Sequence, residues 1–130
     1  MKEAITTKDA PAAIGPYSQA VSAGDIVFLS GQIPLDPATG QIVAAGIAEQ
    51  TERVMKNLGA VLAAGACTFA DVVRTTIYLV DLGQFAAVNE VYGRFFEAPY
   101  PARATVQVAA LPRGALVEID AVAVARGAGR

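Results

Sequence analysis

Apolar residues recur along this chain with two distinct periods. Val54, Leu58, Val61 and Leu62 fall at i, i+4, i+7 and i+8, which is one stripe of an amphipathic helix. Helix is therefore predicted over Ile47 to Ala64, stopping at Gly65. Phe85, Val88, Tyr92, Phe95 and Phe96 repeat with the same spacing up to Pro99, and Asp81 with Gln84 three residues on reads as a capping box opening that second helix. The remaining apolar runs are short and rich in strand formers. They predict strands near Glu3 to Thr6, Tyr17 to Val21, Ile26 to Leu29, Val72 to Val80, Ala104 to Ala109 and Leu116 to Ala125. Gly24-Asp25 makes the third of these the second arm of a hairpin, and Leu111-Pro112-Arg113-Gly114 is a turn between the last two. Pro34, Pro37 and Gly40 mark a loop, and Gly127 to Arg130 reads as a loose tail.

Strands, helix, strand, helix, two strands describes an α+β fold with both helices on one face of a single sheet. Two helices cover one face only. In Val72 to Val80 and Leu116 to Ala125, however, apolar residues occupy both alternating faces. The bare face needs a cover, and the economical one is the same face of further copies, so a closed homo-oligomer is expected. With 130 residues, slightly more than half of them apolar, the chain supports one core, so 1–130 is expected to be one domain.

Composition narrows the chemistry. There is no histidine, which removes Ser-His and Cys-His nucleophile pairs and the usual zinc sets. Twelve acids against ten bases give no positive stripe for phosphates, so nucleic acid is not an expected partner. No run is long and apolar enough for a bilayer span, and the start lacks a secretory pattern. A single cysteine, Cys67, suits a reducing compartment, and the expected location is the cytoplasm. With no basic neighbour near it, that thiol reads as inert packing.

Several residues could carry chemistry, each with a plainer alternative. Arg103 stands in an uncharged neighbourhood, where its guanidinium either clamps a carboxylate through two parallel hydrogen bonds or pairs with an acid of its own protein. Glu118 lies within the most apolar strand, with Asp120 two residues along on the same side; the alternatives are a task at a site and an ordinary water-facing or intersubunit charge. Tyr17 follows Gly15-Pro16 and is either held at a cleft edge or simply half buried. Ser30-Gly31-Gln32 ends a strand with a glycine that lets a ligand approach or makes a bulge. Thr105 shares a strand face with Arg103 and either bonds a substrate or only fills its place.

In their order along the chain, these segments resemble the reactive intermediate deaminase family, also called the YjgF or liver perchloric-acid-soluble protein family. The likeness runs from Ala10-Pro11-Ala12-Ala13-Ile14-Gly15-Pro16-Tyr17 through Ser30-Gly31-Gln32-Ile33-Pro34 to Pro101-Ala102-Arg103-Ala104-Thr105-Val106-Gln107-Val108, Leu111-Pro112 and Val117-Glu118-Ile119. The resemblance implies a chorismate-mutase-like fold, related to the ferredoxin-like one, with a mixed sheet of about six strands. It also implies a trimeric barrel with three ligand clefts between subunits. It implies cofactor-free hydrolysis of 2-imino acids and their enamines to 2-keto acids and ammonia, downstream of pyridoxal-phosphate dehydratases that release such intermediates. Position by position, Arg103 matches the arginine that holds the substrate carboxylate and Glu118 the acid that positions or activates water. Tyr17, Ser30, Gly31 and Asn89 match residues lining the pocket. Thr105 stands where the family often has cysteine, and the connection Glu97-Ala98-Pro99 is short beside that of some members. A non-catalytic binder that senses a keto acid or another small carboxylate in the same cleft is the alternative reading, and the family resemblance brings a third, a ribonuclease or inhibitor of translation, which the charge and the histidine count oppose.

Overall fold

The computed structural model describes residues 1–125, so the expected tail at Gly127 to Arg130 lies outside the described residues. The elements run β1 (Lys2–Ile5), β2 (Ala20–Ala23), β3 (Ile26–Gln32), α1 (Ile47–Ala64), β4 (Val72–Leu79), α2 (Phe85–Gly93), β5 (Ala102–Gln107) and β6 (Val117–Val124). The six strands form one sheet in the order β1-β2-β3-β6-β4-β5. All neighbours are antiparallel except β4 and β5, which are parallel. This is the expected α+β architecture, a single mixed sheet with two helices.

Alternation along the strands sorts the two faces. Val27 and Leu29 of β3, Ile77 and Leu79 of β4, and Val117, Ile119, Ala121 and Ala123 of β6 are buried and form the core with Val54, Met55, Leu58, Val61 and Leu62 of α1 and Val88 and Tyr92 of α2. The residues between them face the other way, and no helix covers them. There Ile26, Phe28, Val106 and Val124 are 36 to 46% exposed, an apolar group on an uncovered sheet face.

Helix α1 begins and ends where its apolar stripe predicts. Gly65 is not its left-handed residue, because that conformation falls on Ala66 (φ 60°). What position 65 needs is room, since a Cβ there would stand 3.1 Å from Ile5 Cδ1. Helix α2 is shorter than its spacing suggests and ends at Gly93. Beyond it a tight turn lets Phe95 and Phe96 pack on Phe69, with ring centroids 5.4 and 5.3 Å away. The expected capping box is also different. Asp81 caps a single 3-10 turn through Gly83 N–H at 2.8 Å, whereas the reciprocal box closes between Thr68 and Asp71.

Three strand boundaries move in ways that matter for the site. Tyr17 precedes β2 instead of opening it, directly after the bend at Gly15-Pro16, where its N–H donates to Gly15 O at 2.9 Å. Strand β3 continues through Ser30 and Gly31, with its register to β6 broken between Leu29 and Gln32. Strand β5 starts at Ala102, so Arg103 lies within the sheet.

Candidate active site

Arg103 pairs in register with Thr75 of β4, whose side chain is buried on the helix side, so the guanidinium leaves the sheet on that same side at its β5 edge. Helix α2 receives it. Nη1 donates to Asn89 Oδ1 at 2.7 Å, and Cζ lies 5.3 Å from the Phe85 ring centroid and 5.1 Å from that of Tyr92. The rings sit at positions of the α2 stripe, and Tyr92 is itself fixed by a 2.8 Å hydrogen bond to Thr75 Oγ1. The two ion pairs among the described residues, Lys56–Glu52 and Arg94–Glu90, leave Arg103 out. Among the described residues of one chain, no acid forms an ion pair with Arg103. The guanidinium is thus steered by two aromatic faces and one amide, an arrangement that leaves N–H groups able to take a two-pronged hydrogen bond. The cavity before it, about 490 Å³, is lined by Asn89, Tyr92, Gly93, Tyr100, Pro101 and Arg103.

Glu118 leaves β6 on the opposite, helix-free face. Its carboxylate lies against Gly31, so close that a Cβ at that position would fall on Oε2. The glycine at position 31 makes room for this close approach, and the register break between Leu29 and Gln32 fits the bulge reading of that tripeptide. Burial raises the Glu118 carboxyl above its ordinary range, and the Asp120 charge raises it further. Tyr17, Ser30, Gly31, Glu118 and Arg113 line a second cavity of about 620 Å³ with Gln19 and Ile33. Ala in place of Gly31 is accordingly expected to lower kcat on the order of tenfold to a hundredfold by displacing the acid, a result readable in a steady-state assay beside an unchanged circular dichroism spectrum.

The walls of this second cavity are held by buried amides that sequence reasoning missed. Gln19 accepts from Thr7 N–H at 2.7 Å and donates to Pro11 O at 2.7 Å and Thr7 O at 3.1 Å, which folds the segment carrying Tyr17 back on itself. Ser30 Oγ donates to Ser18 O at 2.6 Å and joins that segment to β3. On α1, Asn57 donates to Leu35 O at 2.9 Å and Gln50 accepts from Leu116 N–H at 2.9 Å, so the loop after β3 and the start of β6 are tied to one helix. Arg113, in the left-handed region (φ 59°), donates to Gly40 O at 3.0 Å.

The sequence-derived residues thus fall into two groups. Arg103 and Asn89 meet in one cavity, and Tyr17, Ser30, Gly31 and Glu118 meet in another. Thr105 shares the face of Arg103 opposite Ile77 but is not among the residues lining the first cavity. Within one chain the two groups are apart, because β4 separates β5 from β6 and the side chains leave opposite faces. Two strand spacings alone come to roughly 10 Å. Cys67, as its surroundings suggested, is packed away, and burial followed by the Asp71 charge raises its thiol pKa.

The family model described as Endoribonuclease L-PSP matches residues 7–125. The chain belongs to this family, the reactive intermediate deaminases. Among curated relatives, Protein DfrA of Myxococcus xanthus is 64% identical over 125 residues, covering 95% of each chain. The mouse protein named 2-iminobutanoate/2-iminopropanoate deaminase is 51% identical over 124 residues, covering 95% of this chain and 92% of its own. Among solved structures, Escherichia coli TdcF with bound serine superposes with a TM-score of 0.91 at 43% identity, over 95% of this chain and 99% of that one. The deaminase family resemblance read from the Gly-Pro-Tyr, Ser-Gly-Gln and Pro-Ala-Arg segments is therefore correct over nearly the whole chain.

Proposed function

We propose that this family member hydrolyses short 2-imino acids and their enamines to 2-keto acids and ammonia, in clefts completed between subunits of a homotrimer. The observation that carries this reading is the division of the site. An arginine without an acidic partner among the described residues stands in one open cavity, and a half-buried carboxyl with raised pKa stands in another on the opposite sheet face. Neither half suffices alone. Three copies whose bare faces pack inward as a barrel would bury Ile26, Phe28, Val106 and Val124, and would bring the Arg103 edge of one subunit to the Glu118 cavity of the next.

In that cleft Arg103 holds the substrate carboxylate in a two-pronged grip while Asn89 fixes the guanidinium. Tyr17 and Ser30 border the imine, and Thr105 supports the Arg103 strand. Glu118 accepts a proton from water as its oxygen attacks the C=N carbon. The tetrahedral intermediate takes that proton on nitrogen to give a carbinolamine, whose hydroxyl proton Glu118 then relays to the departing nitrogen as the C=O forms and the C–N bond breaks, leaving a keto acid and ammonia. A carboxyl with raised pKa is a better base than an ordinary one of about 4.3. The names of the mouse relative and the serine bound to TdcF support a small α-carboxylated substrate. Enzymes that release such imines, pyridoxal-phosphate dehydratases among them, are the expected suppliers, with no contact required.

A carboxylate-binding regulator would use the same arginine and cleft. The two are separated by following keto acid release from 2-iminopropanoate, generated in place by an amino-acid oxidase, with and without the protein. Acceleration over the protein-free rate is expected, and its absence together with measurable keto acid binding would establish the regulator instead.

A further inference from the structure

Beside the acid of the proposed site lies a second carboxylate that the mechanism does not use. Asp120 follows Glu118 by two residues on β6, so both leave the helix-free face. Tyr78 of β4 is the register partner of Glu118, yet its hydroxyl reaches diagonally and donates to Asp120 Oδ2 at 3.0 Å. The phenol thus holds Asp120 at a fixed place next to Glu118. Resting on the assignment of Glu118 as base, we propose that Asp120 is a positioning residue whose charge strengthens Glu118 as a proton acceptor, with Tyr78 as the strut that keeps it there.

The other groups around Glu118 do not duplicate this role. Strand β3 presents Phe28, Ser30 and Gly31, none of which ionises. Strand β4 presents Tyr78 and, further along the same face, Arg74, opposite Val122. Arg113 and Tyr17 border the cavity, and an arginine there would lower the Glu118 pKa rather than raise it. Burial and Asp120 are the two influences that raise it, and Asp120 in turn keeps the proton on the Tyr78 phenol, whose pKa it raises first through their hydrogen bond. A site with no histidine has gained by electrostatics a base closer to neutral pH.

The test titrates Glu118 itself. In protein labelled with carboxyl-13C glutamate, the Glu118 resonance, assigned by its loss in Glu118→Gln, is expected to shift its midpoint down by about 0.5 to 1.5 pH units in Asp120→Asn. The acid limb of kcat/KM should move with it, and Asp120→Glu, which keeps the charge, should restore both. Tyr78→Phe should produce a smaller shift in the same direction. An unmoved Glu118 midpoint in Asp120→Asn overturns the proposal, as does a moved midpoint with an unmoved acid limb. Full activity of Glu118→Gln would overturn the assignment of the base, and it is distinguishable because the electrostatic shift would persist.

Discussion

Alanine in place of Arg103 is expected to lower kcat/KM for 2-iminopropanoate by about 100- to 1000-fold, the range for losing a two-pronged charged contact to a substrate. Most of the loss should appear in KM, because the carboxylate is held alike in the bound imine and in the carbinolamine. Lysine is no substitute. It keeps the charge but lacks the planar fork that lies 5.1 and 5.3 Å from two ring centroids while bonding Asn89, so Arg103→Lys should still fall by about tenfold. Thermal unfolding should hardly change, since the guanidinium is exposed and bonds only an exposed amide. A variant that instead keeps the parental KM would remove Arg103 from the substrate.

Glutamine in place of Glu118 should do two opposite things. Catalysis drops by about 100-fold in kcat as the base is lost, while stability rises. The folded chain holds this carboxyl above its ordinary pKa, so it binds the proton more tightly than the unfolded chain does. Stability therefore falls as pH climbs from the ordinary carboxylate range through the raised value. Glutamine has no charge to bury and escapes that loss. Its melting temperature should exceed the parent's by about 1–3 °C at pH 7, a modest figure because Glu118 is partly solvated. The two should converge below the carboxylate range. Melting curves at both pH values check the sign, and such a gain on removing a charge is expected where function has been placed against stability.

Much of this fold was legible because periodic burial dictates it. The α1 stripe placed that helix, with Gly65 marking its end, and the apolar alternation on both faces of β4 and β6 pointed to a sheet with one face uncovered. Glycine at position 31 and the acid in the most apolar strand were visible as oddities. Less was visible wherever a non-local partner decides the outcome. Tyr92 and Phe85 read as ordinary helix-stripe aromatics, and nothing in their spacing tells that Arg103 would lie over them. Gln19, Gln50 and Asn57 hold loops through backbone carbonyls and amides far along the chain, a relation without any period. Tyr17 looked like the start of a strand because β propensity carries no knowledge of the Gln19 bonds that pull the segment away. Above all, whether Arg103 and Glu118 share a face depends on strand order and register, which alternation within each strand leaves open.

The proposed division of one site between two sheet faces makes subunit mixing the most direct measurement. Arg103→Ala and Glu118→Gln chains, each strongly impaired alone, are co-expressed in equal amounts and the assembled protein is assayed at substrate concentrations below the parental KM. If one subunit supplies Arg103 and its neighbour Glu118, mixed trimers contain intact clefts and roughly a quarter of the parental rate returns. A mixture as inactive as its two parents would contradict a site built across the subunit boundary.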